Sequence, residues 1–247
     1  MRTSLRENPK ANPRRNAYNI FVKRLILFDV DGTLVNCPPD TARVAAIRDL
    51  YGLEVSLEGL RTGGMTEPQI LTLLLQSAGW DDSKIKAELP NLMNKVASCI
   101  PETFRKGSVE LLPGVKQVLD ELENRDIALG LVTGNHKSLA RLKLGDVDIW
   151  RYFSVGGYGD DPHEYRSDLV KIAVERAGFG VSEPGVYVIG DTWRDITAAV
   201  DAGVVNRIGL IGPRHPREEF EQAGATVLLS NFLETEKVLE ALGIPSV

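Results

Sequence analysis

The sequence predicts an α/β protein: a doubly wound, Rossmann-like parallel sheet with an all-helical cap inserted after the first strand. Three observations predict it. Apolar runs of strand length recur along the chain, helical patterns separate them, and one long stretch carries helical periodicity alone. A run without alternation suits a strand buried on both faces, as in a parallel sheet. Strands that alternate with helices then give the doubly wound arrangement.

The first run, Leu25-Ile26-Leu27-Phe28, ends in Asp29. Similar runs follow at Ile127 to Val132, Val186 to Ile189, Val204 to Ile211 and Thr226 to Leu229. Between them, Val115-Val118-Leu119-Leu122 and Leu169-Ile172-Ala173-Arg176 show helical spacing. From about Pro38 to Lys106 only helical spacing appears, in Val44-Ile47-Arg48-Tyr51, Ile70-Leu73-Leu74 and Leu92-Val96-Cys99. Breakers border that stretch: Pro38-Pro39 before it, Gly107 and Pro113-Gly114 after it. The expected division is therefore a core from 25–36 and 108–247, with a cap from 37–107. Such a cap would sit over the C-terminal end of the first strand, where open parallel sheets bind ligands. Residues 1–24 carry Arg2, Arg6, Lys10, Arg14, Arg15, Lys23 and Arg24 against Glu7 alone, and are expected to form a poorly ordered tail.

Composition narrows the function classes. Of the 247 residues, 43% are hydrophobic and 26% charged, the profile of an ordinary globular protein. The net charge of −5 gives no whole-chain reason to expect nucleic acid or an anionic membrane as partner. An anionic ligand would have to be held by local groups: a metal, one or two cations, and backbone N–H groups. Two cysteines, Cys37 and Cys99, are too few for a disulfide framework and fit reduced thiols of a cytoplasmic protein. The apolar stretches are strand-sized and interrupted by charge, so no membrane span is expected.

The chemistry concentrates in Asp29-Val30-Asp31-Gly32-Thr33, directly after the first strand. Two carboxylates one residue apart, leaving a strand into a glycine turn, can reach one small volume. Asp29 is suited to attack phosphorus as a nucleophile. Asp31 is suited to protonate a leaving oxygen and then activate water, help worth about 10²–10⁴-fold. Standing alone, the same five residues also describe an ordinary Asp-Gly turn.

Leu27-Phe28-Asp29-Val30-Asp31-Gly32-Thr33-Leu34 resembles the first motif of the haloacid dehalogenase-like hydrolases, in particular their phosphoglycolate phosphatase-like branch. Leu131-Val132-Thr133-Gly134-Asn135 resembles the second motif, where a hydroxyl and the following N–H groups hold phosphoryl oxygens. Val188-Ile189-Gly190-Asp191-Thr192-Trp193-Arg194-Asp195, with Ala198-Ala199 and Ala202-Gly203 behind it, resembles the fourth. The resemblance implies Mg²⁺ held by the side chains of Asp29 and Asp191 and the main-chain carbonyl of Asp31, with Asp195 behind them. It also implies an aspartyl-phosphate intermediate and a small phosphomonoester as substrate, with phosphoglycolate the default.

The third motif departs from the family pattern, because no Lys-Pro precedes the fourth-motif strand. Arg166 at a helix start is the preferred cation, with His163 and Lys171 as the other candidates. His136 is expected to cap or line the turn after Asn135, Trp193 to pack on the cap, and Gly63-Gly64-Met65-Thr66 to be either a substrate-reading loop or a plain helix connection. A phosphosugar mutase shares the nucleophile, acid and metal, and is the runner-up. A catalytically idle binding module would be expected to lack a motif acid, yet all four acids are present.

Overall fold

The computed structural model describes residues 23–125, 127–212 and 215–245, so the expected tail lies outside the described residues as far as residue 22. Arg24, assigned to that tail by composition, opens the first strand instead.

Six parallel strands form the main sheet: β1 (Arg24–Phe28), β4 (Ile127–Val132), β5 (Val155–Gly157), β6 (Val186–Gly190), β7 (Asn206–Leu210) and β8 (Val227–Leu229). Their spatial order is β5-β4-β1-β6-β7-β8. The chain thus starts in the middle, builds outward on one side, and returns to build on the other. The order reverses between β1 and β6, the crevice where doubly wound sheets place their ligands. Register holds the two strand ends level, with Phe28 opposite Leu131 of β4 and Ile189 of β6.

The apolar run in β1 divides by parity. Ile26 and Phe28 face one layer, with Val118, Leu119 and Leu122 of α4 (Val115–Glu123) and Val238 and Leu239 of α9 (Thr235–Ala241). Leu25 and Leu27 face the other, with Leu169, Val170 and Ala173 of α6 (Arg166–Arg176) and Ala198, Ala199 and Ala202 of α7 (Trp193–Ala202). Both faces are sealed, which is why the run needs no polar alternation. At about 25 cal/mol per Å² of apolar surface, burial of these strands dominates what holds the sheet together.

A third apolar cluster joins α1 (Ala42–Tyr51), α2 (Glu67–Ser77) and α3 (Asp82–Thr103) through Ala46, Ile47, Leu71, Leu74, Leu92 and Val96. Leu139 of α5 (Lys137–Asp146) also enters it, so the cap packs on the helix that follows β4. A short antiparallel ribbon crosses between the layers, pairing Val35 of β2 (Val35–Asn36) with Leu111 of β3 (Glu110–Leu111). We propose that the cap begins at 37 and ends at 107, because the ribbon marks both crossings and Gly107 N donates to the Asp146 carboxylate of α5 at 2.8 Å.

Candidate active site

Three of the four candidate acids follow the C-terminal ends of central strands, and Asp195 lies in the first turn of α7. Asp29 leaves β1 and Asp191 leaves β6, adjacent strands at the switch point. Asp31 follows Asp29 two residues on, past Val30, and Gly32 then turns the chain with φ +83°. A side chain at Gly32 would collide with the Asp191 carboxylate, so glycine is needed both for the turn and for the approach of the two strand ends.

Asp29, Asp191 and Asp195 place carboxylate oxygens within 4.8 Å of one another. Burial pushes the Asp29 carboxyl well above the ordinary range, and Asp195 and Asp191 add to the rise against the pull of Arg166. Burial, then Asp195, pushes Asp191 up to about 7. A crowd of oxygen donors that resists ionising together is a fit receptor for a hard divalent cation. Asp195 is the most committed of the three. Its Oδ2 accepts from Thr192 N at 3.0 Å and Thr192 Oγ1 at 2.7 Å, and its Oδ1 accepts from Arg166 at 2.6 Å.

Arg166 stands at the first position of α6 with its guanidinium inside the site. One arm, Nη2, donates to Asp29 Oδ1 at 2.9 Å and to Asp195 Oδ1. The other, Nη1, donates to the carbonyl of Gly64 in the cap at 3.1 Å. The fork therefore bridges two carboxylates and a cap loop. Burial disfavours its charge, but Asp195 and Asp29 outweigh that and hold the guanidinium firmly ionised. Lys171 lies half-exposed on the same helix, paired with Asp168 at 3.2 Å, and His163 is turned to the Asp161 carbonyl at 2.7 Å. Neither has a hydrogen bond to the four acids.

On the β4 side, Thr133 and Asn135 are both buried. Thr133 Oγ1 accepts from Asn135 N at 3.2 Å and Nδ2 at 3.0 Å, and the same Nδ2 donates to Asp31 Oδ2 at 2.6 Å. The Gly134 carbonyl accepts from Glu67 N of α2 at 2.9 Å. A side chain on Gly134 would strike the Met65 carbonyl, so this glycine lets the cap loop close onto the second motif. Arg194 donates to Gly63 O at 3.0 Å, completing the contact between the Gly63–Thr66 loop and three parts of the core. His136 caps α5, accepting from Ser138 N at 3.2 Å. Trp193 is partly exposed and lines a cavity of about 500 Å³ with Pro68, Gln69 and Thr72 of α2.

A further residue of the site belongs to none of the sequence motifs. Lys143 of α5 is buried, and its Nζ lies 2.8 Å from each oxygen of Asp31. Burial alone would raise the Asp31 pKa, but Lys143 and then the Asn135 hydrogen bond reverse the direction and hold the carboxyl below its ordinary value. The signal was present in the sequence. Leu139, Ala140, Lys143 and Leu144 form the inward stripe of α5, and a lysine on such a stripe is seldom buried without a partner.

The profile of the family described as haloacid dehalogenase-like hydrolase matches residues 26–207. A phosphoglycolate phosphatase from Photorhabdus laumondii is 27% identical over 229 residues, spanning 90% of this chain and 94% of the relative. Among solved structures, one described as a predicted phosphatase from Clostridium acetobutylicum superposes with a TM-score of 0.66 at 19% identity, covering 89% of this chain and 99% of that one. A beta-phosphoglucomutase from Clostridium difficile gives 0.61 at 17% identity, over 90% and 97%. These two share the fold. The matched segment runs from β1 through the start of β7 and contains every acid of the site, and the chain belongs to the haloacid dehalogenase-like hydrolase family.

Proposed function

We propose that the protein hydrolyses a small phosphomonoester through an aspartyl-phosphate on Asp29, with Mg²⁺ as cofactor. The observation that carries this reading is the pair Asp29 and Asp31, which leave one strand into opposite surroundings. From the protein's own groups alone, Asp29 holds its proton more tightly and Asp31 less tightly than usual. A divalent cation that displaces the Asp29 proton and a phosphoryl charge brought beside Asp31 would reverse the two and set their roles. Asp29, set beside Asp191 at the sheet crevice, is the nucleophile. Asp31, paired with a lysine and an amide, is the acid and base.

In the first half-reaction an Asp29 oxygen bonds to phosphorus. The bond to the ester oxygen breaks, and the leaving group takes its proton from Asp31. In the second, water bonds to phosphorus and gives a proton back to Asp31. The bond to Asp29 breaks, and inorganic phosphate is released. Thr133, with the N–H groups of Gly134 and Asn135, holds the phosphoryl oxygens. Arg166 keeps Asp29 aimed and offsets negative charge as the phosphoryl group arrives.

Asp29, Asp191 and the main-chain carbonyl of Asp31 would hold the Mg²⁺, and the crowded carboxylates with raised pKa values support that fit. When bound, the ion neutralises charge shared by nucleophile and phosphoryl group. Asp195, saturated by Thr192 and Arg166, serves as support behind them. Phosphoglycolate is the first substrate to try, being the one named for the bacterial relatives. A cytoplasmic setting is consistent with the free thiols of Cys37 and Cys99 and with the lack, among the described residues, of a helix long and apolar enough to cross a membrane.

The test is Asp29→Asn, assayed for phosphate release from phosphoglycolate and from p-nitrophenyl phosphate with Mg²⁺. Turnover should vanish while the fold persists, because the change is isosteric. Substantial activity in that variant would sink the covalent reading. A glucose-phosphate isomerisation assay on the wild type separates the mutase alternative.

A further inference from the structure

Lys143 does a job that none of the four motifs describes. Its three N–H donors are all spent inside the site: one on each oxygen of Asp31 at 2.8 Å, and one on Asn135 Oδ1 at 3.3 Å. Asn135 Nδ2 and Cys37 Sγ add donors to Asp31, at 2.6 Å on Oδ2 and 3.1 Å on Oδ1. Each oxygen of Asp31 is thus gripped by two donors. Even so, 40% of the Asp31 side chain remains exposed, whereas that of Lys143 is 6% exposed. The clamp closes from the α5 side and leaves the other edge of the carboxylate open.

General neutralisation of the acid cluster does not account for this lysine. Arg166 already serves Asp29 and Asp195, and Lys143 has no hydrogen bond to either. Nor does core packing, since a methionine would fill the same inward position of α5 without burying a charge. What remains is the orientation of one carboxylate. An aspartate with a free χ2 sweeps its oxygens through a wide arc, while a general base must stay within about 2.6–3.2 Å of the proton that it takes.

We propose that Lys143 is a positioning residue that fixes the open edge of Asp31 toward the water attacking the phosphorylated Asp29. The inference rests on the aspartyl-phosphate reading above. In the step concerned, the water oxygen bonds to phosphorus and one of its protons passes to Asp31. The phosphorus–Asp29 bond breaks, its electron pair returning to the Asp29 carboxylate. Losing the clamp should slow this step more than the first one when the leaving group needs little protonation. Phosphorylated enzyme should then accumulate, which simple damage to packing would not produce.

The experiment is rapid mixing of Lys143→Met with p-nitrophenyl phosphate and Mg²⁺, followed by acid quench and intact-mass measurement. The expected result is a burst of p-nitrophenolate approaching one equivalent per enzyme, trapped phosphoryl-enzyme, and a steady rate down by roughly 10²-fold, the cost of a misplaced catalytic group. Lys143→Arg should recover part of the rate and lose the burst. Lys143→Gln, which keeps an amide donor, repeats the measurement if the methionine variant does not fold. An unchanged steady rate, or a slow rate without burst or trapped phosphate, overturns the assignment of Lys143 while leaving the phosphatase reading intact. A wild type that turns over no phosphomonoester overturns both.

Discussion

Asp29 and Asp31 are separated by one residue, yet the two ends of that short segment are built on different principles. Asp29 sits among carboxylates, with Asp191 and Asp195 close by and one arm of Arg166 shared between it and Asp195. Burial and like charge win there, and its carboxyl is raised although a guanidinium touches it. Asp31 has a cation of its own, two further donors and an open edge, and its carboxyl is lowered. The lesson is that a cation's presence does not decide a carboxylate's charge. What decides it is how many acids share the cation and how much water is excluded. The shared side groups three carboxylates near one guanidinium arm, whereas the private side gives one carboxylate four donor contacts.

The strongest way to break this contrast is to remove the shared cation. Arg166→Ala should lower kcat by about 10²–10³-fold, the usual cost of deleting a charge-stabilising donor. It also frees Gly64 of the cap loop, so KM should rise as well. Lys171→Ala, on the exposed face of the same helix, should stay near wild type in both constants. If the two variants exchange behaviour, the third-motif cation lies one turn further along α6.

A smaller and more diagnostic effect concerns the crowded acids proposed to hold the ion. Asp191 is raised to about 7, so between about pH 4 and pH 7 the unfolded chain has lost a proton that the folded chain keeps. The folded state binds more protons across that window, and metal-free stability must fall as pH rises through it. Mg²⁺ competes with that proton, so the rise in Tm on adding the ion should be small at pH 5 and larger at pH 8. A rise that is equal at the two values, or larger at pH 5, would place the ion away from Asp191. Chelation should correspondingly cost more Tm at the higher pH.

The sequence made one side of this comparison legible and hid part of the other. β1, β4 and β6 carry long unbroken apolar runs, so their ends, and the acids at them, could be placed by pattern alone. β5 spans only Val155–Gly157, with two glycines, too short and too bare to stand out. The β2–β3 ribbon has two residues per strand and exists only through a contact across the whole cap. Arg166 could be named as a cation, but the partners of its two arms come from the cap, from the end of β1 and from α7, which pattern does not bring together. Lys143 was written in the stripe of α5, yet its target lies 112 residues earlier in the chain. Periodicity shows that a side chain points inward; only the fold says what it meets there.

The smallest expected effect tests how complete the Asp31 side is. Cys37 Sγ donates to Asp31 Oδ1 at 3.1 Å, the weakest of the four contacts on that carboxylate. Burial first, and then the neighbouring Asp31 charge, push the thiol up to about 11, so at neutral pH almost none of it is thiolate. Iodoacetamide should therefore modify Cys37 far more slowly than a free cysteine, whose pKa is about 8.5. Cys37→Ala removes one weak donor while Lys143 still holds both oxygens and Asn135 holds one. A neutral hydrogen bond contributes about 0.5–1.5 kcal/mol, and a thiol donor falls at or below the bottom of that range. The variant should keep kcat within about threefold of wild type, measured on p-nitrophenyl phosphate under saturating Mg²⁺. A loss of tenfold or more would show that the clamp needs all of its donors, and that the Asp31 side is as finely balanced as the Asp29 side.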